Sequence, residues 1–78
     1  MNKARRAELS LVAEMVEQCR DHVDALQRQE EEAFDNLPES LQDSERGSAM
    51  QEAISSLEEA SGDLQSAWDC LAEAEGGS

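Results

Sequence analysis

Apolar residues recur at alternating steps of three and four residues through both halves of this chain, and no other feature of the sequence constrains the fold as strongly. In the first half the series is Leu9, Val12, Val16, Cys19, Val23, Leu26, Glu30 and Ala33. These steps place side chains along one stripe of an α-helix, as at the a and d positions of a heptad repeat. No Gly or Pro lies between residues 4 and 34. The spacing therefore predicts one helix over about 4–34, with Glu30 interrupting its apolar stripe.

The second half repeats the pattern. Its series is Met50, Ile54, Leu57, Ser61, Leu64, Trp68 and Leu71. Beside it, at intervals of seven residues, run Ala53, Ala60, Ala67 and Ala74. We predict a second helix over about 45–75, in which Gly62 costs about 1 kcal/mol relative to alanine and indicates either a close contact or a local bend. We interpret Trp68 as a core residue and residues 76–78 as a flexible tail.

A short polar segment over about 35–44 separates the two predicted helices. Pro38 disfavours helix at Leu37 and suits the first position of a new turn. Asp43 or Ser44 is expected to cap the second helix. Two helices with one apolar stripe each and a short connection favour an all-α fold. We predict an antiparallel, coiled-coil-like two-helix hairpin that forms a single domain over 1–75.

The position of the turn also predicts which residues face each other. Reversal of the chain near residue 40 means that facing residues have numbers that sum to about 80. Leu26 then lies near Ile54, and Val23 lies near Leu57. The predicted seam, which forms the core of the hairpin or of its dimer, consists of Leu9, Val12, Val16, Val23, Leu26, Ile54, Leu57, Leu64, Trp68 and Leu71.

A single hairpin buries only one face of each helix, which suggests a second copy. Leu11 and Met15 widen the apolar face of the first helix, and the alanine series widens that of the second. Pairing two hairpins into a four-helix bundle would cover both faces. We therefore expect a symmetric homodimer, and the direction in which the two hairpins dock stays open.

The chain is strongly acidic, with 19 Asp and Glu against 6 Lys and Arg and a formal net charge of −13. From Glu30 onward Arg46 is the only basic residue. Such a field repels nucleic acids and anionic membranes, so direct binding to either is not expected. It attracts basic protein surfaces. We therefore expect a protein partner with a basic surface.

The sequence also carries information about location. No apolar run exceeds three residues, so no transmembrane helix is predicted. Lys3, Arg5 and Arg6 resemble the start of a signal peptide, but acidic residues follow where an apolar segment is required. The two cysteines, without an export signal, indicate free thiols in a reducing compartment. We therefore expect a cytoplasmic protein.

Candidate chemical groups are few. Cys19 and His22 lie three residues apart, as in half of a zinc site, but the predicted register puts Cys70 too far away to complete it. We interpret Cys19 as a small core residue, His22 as a polar residue beside the core and Cys70 as exposed. We interpret Glu30–Glu32 as a solvated acidic face, because a slim hairpin offers no pocket that would perturb their carboxylates. We predict no catalytic, cofactor-binding or metal-binding residues and no enzyme activity.

The segment that joins the helices has a distinctive sequence. Ala33–Gly47 is AFDNLPESLQDSERG, and MQEAI follows at Met50–Ile54. This segment resembles the linker A-[FY]-D-N-[LM]-P-E-S-L-Q-x-S-E-R of short acidic helical proteins found in bacteriophages and other mobile elements of bacteria. The flanking helices agree in pattern. The resemblance implies a hairpin fold, a bacterial-cell setting and a role in the contest between phage and host, and it brings no catalytic residues.

Two kinds of function follow as hypotheses. In the first, the protein binds a bacterial host protein, and modulates or inhibits it, through the acidic outer face of the second helix or through the turn. The predicted contact residues are Glu52, Glu58, Glu59, Asp63, Asp69, Pro38, Glu39 and Arg46. In the second, its carboxylates mimic nucleic-acid phosphates and block a host defence protein, as an anti-CRISPR or anti-restriction factor does. A structural role in the virion, or a metal or redox role of Cys19, His22 and Cys70, are the remaining alternatives.

Overall fold

The computed structural model describes residues 1–76 of the chain, and three helices occur within them. They are α1 (Lys3–Asp35), α2 (Glu39–Gln42) and α3 (Glu45–Gly76). No strand occurs within these residues, so the prediction of an all-α chain is confirmed. Of the predicted tail, Gly76 is the last residue of α3, and residues 77 and 78 lie outside the described residues. Neither long helix in 1–76 is apolar enough to cross a bilayer.

A side-chain oxygen caps the N-terminus of each of the two long helices. The Asn2 side chain accepts a hydrogen bond from the Arg5 backbone N–H at 2.8 Å, which satisfies one of the free donors of the first turn of α1. At the start of α3 the Ser44 hydroxyl accepts from the Gly47 N–H at 3.3 Å. The Ser44 carbonyl also accepts from the Ser48 N–H at 2.9 Å. Of the two candidate caps predicted for the second helix, the structure uses Ser44.

Three side-chain hydrogen bonds between α1 and α3 define the hairpin register. The Ser61 hydroxyl donates to Asp24 Oδ1 at 2.6 Å, and Gln27 Nε2 donates to Glu58 Oε1 at 3.3 Å. The third bond runs from the Arg20 guanidinium to the Gln65 side-chain oxygen. In every pair the residue numbers sum to 85, so the helices are antiparallel.

The predicted sum of about 80 is therefore wrong by five residues, or about 7.5 Å along the helix axis. Leu26 and Val23 are displaced by this distance from their predicted partners. The reason lies in the turn, where α2 packs against the beginning of α3. The first turn of α3 consequently extends past the end of α1, and the register places Met50 opposite Asp35.

Gly47 makes this turn possible. A β-carbon at Gly47 would lie 2.1 Å from the Gln42 carbonyl oxygen and 2.8 Å from the Leu41 carbonyl oxygen, far inside van der Waals contact. Gly47 is one of the two buried residues in 1–76. The Gln42 amide also donates to the Leu37 carbonyl at 3.2 Å, which ties α2 back toward the end of α1. Only glycine permits this close approach of two backbones.

The seam of α1 differs from the predicted one. The residues of α1 that are buried or half-buried at steps of four and three are Leu9, Ala13, Val16, Arg20, Val23, Gln27, Glu30 and Phe34. Val12, Cys19, Leu26 and Ala33 instead lie beside this seam and are exposed, so the predicted intrachain core positions of Val12, Cys19 and Leu26 are wrong. The predicted stripe of α3, from Met50 to Leu71, is half-buried throughout. The hairpin thus closes on a seam that is partly polar on the α1 side.

The hairpin buries little. Its dimensions are 59 × 14 × 12 Å, with a radius of gyration of 17.5 Å. A compact chain of this length would have a radius of gyration of about 11.5 Å. Ala13 is the only buried apolar side chain in 1–76, and Trp68 is half-buried. One copy of the chain therefore lacks a core made of large side chains.

Candidate interaction surfaces

The hairpin has a polar side, formed by the side chains that join its helices. Asp24 and Ser61 meet there, as do Gln27 and Glu58. Gln27 also donates to Glu31 at 3.0 Å, so one amide is shared by two carboxylates. The residues of α1 that follow Asp24 at intervals of seven, in either direction, are polar as well, namely Ser10, Glu17 and Glu31. This side is closed by its own hydrogen bonds.

The opposite side of the hairpin is apolar. On α1 it presents a column spaced by seven residues, formed by Val12, Cys19, Leu26 and Ala33. Val12 is 42% exposed, Leu26 is 52% exposed, and neighbouring Met15 is 59% exposed. On α3 the same side presents the alanine column Ala53, Ala60, Ala67 and Ala74, because residues on matching flanks of two antiparallel helices face the same way. We call these two columns, with Met15, the apolar side.

A shallow depression lies between the helices at one level of the apolar side. Its lining residues are Leu26, Gln29, Glu30 and Leu57. Leu26 and Leu57 come from different helices, so an apolar side chain from outside could contact both. The apolar side therefore has the shape and chemistry of an unfilled packing interface.

A broad acidic face covers the outside of α3. All five carboxylates predicted to contact a partner are exposed, namely Glu52, Glu58, Glu59, Asp63 and Asp69. At about 100° per residue they lie within an arc of about 140° around the helix. No Lys or Arg follows Arg46 in the sequence, so α3 supplies no cation to neutralise them. We call this surface the acidic face.

Hydrogen bonds hold two members of the acidic face in place. Glu58 accepts from Gln27, and Asp69 accepts from Gln65 Nε2 at 3.1 Å. A second shallow depression adjoins the face near the turn and is lined by Ser48, Gln51, Glu52, Ser55 and Ser56. The acidic face is thus continuous, solvent-facing and lined by short polar side chains at one end.

The turn residues serve two different purposes. Pro38, Glu39 and Arg46 are exposed, as a contact role requires. Ser44 and Gly47, by contrast, cap and close the turn, which accounts for part of its distinctive sequence. Sequence reasoning missed the role of Gly47, although a glycine three residues after a capping serine was a usable signal.

The residues considered for metal or redox chemistry are exposed. Cys19 and Cys70 are free thiols, and His22 is exposed beside Cys19. The register places Cys70 opposite residue 15, so the axial separation of the two cysteines is about 6 Å, which is shorter than the predicted register implies. Helices pack about 8–10 Å apart, which keeps the two thiols of one chain beyond disulfide distance. Within 1–76 no group of three or more His, Cys, Asp or Glu is placed to hold a metal ion.

Comparisons with known proteins give no family. No family model, no curated protein and no solved structure matches this chain. The apolar side and the acidic face are therefore the two surfaces that point to a function.

Proposed function

We propose that this protein is a non-enzymatic, homodimeric interaction protein, encoded by a phage or mobile element, that acts in the bacterial cytoplasm. It binds a basic surface of a host protein and modulates or inhibits that protein. The observation that carries the proposal is the acidic face of α3, where exposed carboxylates follow one another without a single Lys or Arg after Arg46. The bacterial setting rests on the resemblance of the segment Ala33–Gly47.

Electrostatics supports a basic partner. Exposed carboxylates on a helix that has no Lys or Arg after Arg46 project a negative potential that accelerates encounter with a positive surface. The same potential repels DNA, RNA and anionic membranes. A protein surface rich in Lys and Arg is the partner that this charge distribution favours.

The incomplete core supports the homodimer. Leu26 and Met15 are more than half exposed on the apolar side, and no side chain larger than alanine is buried in 1–76. Association of two hairpins into a four-helix bundle would remove both residues from water. Burial of each large apolar side chain stabilises by about 1.5–3 kcal/mol.

A charge-reversal pull-down from bacterial lysate tests the proposal. The test variant is Glu52→Lys, Glu59→Lys, Asp69→Lys, which reverses the acidic face. The matched control is Glu8→Lys, Glu14→Lys, Glu17→Lys, which makes the same change in net charge at exposed positions of α1. Circular dichroism and light scattering check that both remain helical and keep the oligomeric state of the wild type.

Loss of a specific protein by the α3 variant alone is the expected result. Retention of that protein by the α3 variant would contradict binding through the acidic face and direct attention to Pro38, Glu39 and Arg46. Equal loss by both variants would mean that overall charge, rather than this face, determines binding.

The second candidate function is mimicry of a nucleic acid. The hairpin is a rod 59 Å long with carboxylates along its length. That length equals about 17 base pairs of duplex at 3.4 Å per step. Competition between this protein and duplex DNA for the captured host protein would favour mimicry, and simultaneous binding of both would exclude it. Failure to capture any host protein would favour a structural role in the virion.

A further inference from the structure

We infer that the apolar side binds a second copy of this chain about a two-fold axis that runs parallel to the helices. In this arrangement α1 of each copy packs on α3 of the other, and both turns lie at the same end of a four-helix bundle. The inference rests on the homodimer of the proposed function and specifies its geometry.

The exposed area of one chain matches what such an interface requires. The chain exposes 5631 Å² at a mass of 8.6 kDa. A compact monomer of that mass exposes about 4,700 Å². The excess is about 900 Å², close to the roughly 800 Å² that each partner buries in a standard protein interface. The excess exposed area is therefore of the size that an interface with a second copy of the chain would bury.

The apolar sides of the two helices differ in side-chain volume. A helix in a four-helix bundle has a second contact face about 90° from the first. On α1 that face consists of Val12, Met15, Cys19, His22, Leu26, Gln29 and Ala33. On α3 it consists of Ala49, Ala53, Ser56, Ala60, Asp63, Ala67, Cys70 and Ala74.

These volumes favour one pairing of helices. Large side chains interdigitate best with small ones, at uniform helix spacing. Packing α1 on the partner's α3 brings the large face onto the small face twice. Packing α1 on α1 and α3 on α3 would instead force large against large in one layer and leave the other underfilled.

Symmetry then fixes the register between the copies. Rotation about an axis parallel to the helices leaves every residue at its own level, so the sum of about 85 that holds within the hairpin also holds between copies. At that sum Leu26 faces Ala60 of the partner subunit, and Met15 faces Cys70 of the partner subunit.

The polar residues of the two faces match at the same register. Asp63 lies at the border between the acidic face and the apolar side, and His22 faces Asp63 of the partner subunit, which puts an imidazole beside a carboxylate. Gln29 faces Ser56 of the partner subunit, which puts an amide beside a hydroxyl. Both pairs provide hydrogen-bonding partners at the edge of the interface.

Charge favours the same geometry. From Glu45 to Gly76, α3 has eight acidic residues and Arg46, whereas α1 has nine acidic and five basic residues. The proposed arrangement puts the two copies of α3 at diagonal corners of the bundle. An arrangement with α3 against α3 would bring the two most acidic helices into contact, at a cost in repulsion.

Disulfide cross-linking tests the geometry. The test variant is Met15→Cys, Cys19→Ser, which retains Cys70. Met15 and Cys70 are both exposed. On a non-reducing gel a bond between chains doubles the mass, whereas a bond within one chain leaves the mass unchanged. Two controls have one thiol each, Cys19→Ser and Met15→Cys, Cys19→Ser, Cys70→Ser. All are oxidised with copper phenanthroline and separated on non-reducing gels, and light scattering gives the mass before oxidation.

We expect a covalent dimer from the two-thiol variant and at least tenfold less from either control. A non-covalent dimer that fails to cross-link, or that cross-links equally in a control, would overturn this geometry and leave the homodimer intact. A wild-type mass of 8.6 kDa in solution would overturn both the geometry and the homodimer. Binding through the acidic face is decided separately by the charge-reversal pull-down.

Discussion

The Ser61 hydroxyl donates to Asp24 Oδ1 at 2.6 Å across the hairpin, at a level where both side chains are half-buried. This bond joins positions in the middle of α1 and α3 and helps to set their register. A hydrogen bond to a charged group contributes about 1.5–3 kcal/mol when it is buried. Solvent around these half-exposed side chains reduces that contribution toward about 1 kcal/mol.

We therefore predict that Asp24→Ala and Ser61→Ala each lower the free energy of unfolding by about 1 kcal/mol. Because both variants remove the same bond, the double variant should cost less than the sum of the two. Urea denaturation followed by circular dichroism measures all four members of this cycle. Ser66→Ala, at an exposed position of α3, serves as the control. Strict additivity in the cycle would show that the two side chains are not coupled.

Gly47 and Gly62 of α3 should respond oppositely to substitution by alanine. At Gly47 a β-carbon would collide with the backbone of α2, so Gly47→Ala should destabilise the hairpin by about 2 kcal/mol or more. At Gly62 nothing lies within 4 Å of an added β-carbon, which excludes the predicted close contact within the chain. Gly62→Ala should therefore stabilise the helix by about 1 kcal/mol. Thermal unfolding of the two variants checks both signs, and a loss of stability at Gly62 would reveal a contact that one copy does not show.

The N-cap of α3 provides a third test. Ser44→Ala removes the oxygen that accepts from the Gly47 N–H and should cost about 1 kcal/mol. Asp43→Ala is the matched control, because Asp43 is exposed and adjacent and does not cap α3. Helicity and the unfolding midpoint should fall for the first variant and stay nearly constant for the second. Equal effects would mean that charge at the turn matters more than capping.

A pair of neighbouring substitutions tests the apolar side as a dimer interface. Ala67 and Ser66 are both exposed in the hairpin, but Ala67 lies on the apolar side and Ser66 lies on the outside of α3. Ala67→Glu should weaken dimerisation at least about tenfold, because it would bury an unpaired carboxylate. Ser66→Glu adds the same charge and should leave the dimer unchanged. Analytical ultracentrifugation over a range of concentrations compares them, and equal dissociation constants would exclude this surface.

Binding to a basic partner should depend on salt. Exposed charges are screened over about 10 Å at 0.1 M salt and about 3 Å at 1 M salt. The affinity of the captured host protein should therefore fall steeply as salt rises, and the fall should be shallower for the single variant Glu59→Gln, which removes one charge of the acidic face. Titration calorimetry at several salt concentrations measures both slopes. A partner whose affinity does not change with salt would not be recognised by the acidic face.

The sequence predicts some of these features better than others, for physical reasons. In α3 only one stripe carries large apolar side chains, because the stripe beside it consists of alanines. The half-buried face of α3 could therefore be predicted from spacing alone. In α1 two overlapping stripes fit steps of three and four, one through Ala13 and Gln27 and the other through Val12 and Leu26. The more apolar stripe is the natural prediction for a seam, yet the hairpin closes on the other stripe.

The register depends on the turn rather than on the helices. A heptad pattern repeats along each helix, so the pattern by itself does not fix the axial position to within a few residues. The close contact of Gly47 with the backbone of α2 fixes it, and that contact follows from three-dimensional packing. The exposure of the acidic face was predictable because it depends on the pattern of α3 alone. It does not require the register between α1 and α3.

The scarcity of buried side chains within one copy has a consequence for abundance in the cell. If the proposed homodimer forms, a hairpin whose largest buried apolar side chain is Ala13 would gain its stability mainly from the partner copy. Below the dissociation constant of the dimer, newly made chains would open readily and be degraded by proteases. Above it, the chains would protect one another and persist. The lifetime of such a protein would depend on its own rate of synthesis. Its concentration would therefore rise and fall more steeply than the expression of its gene.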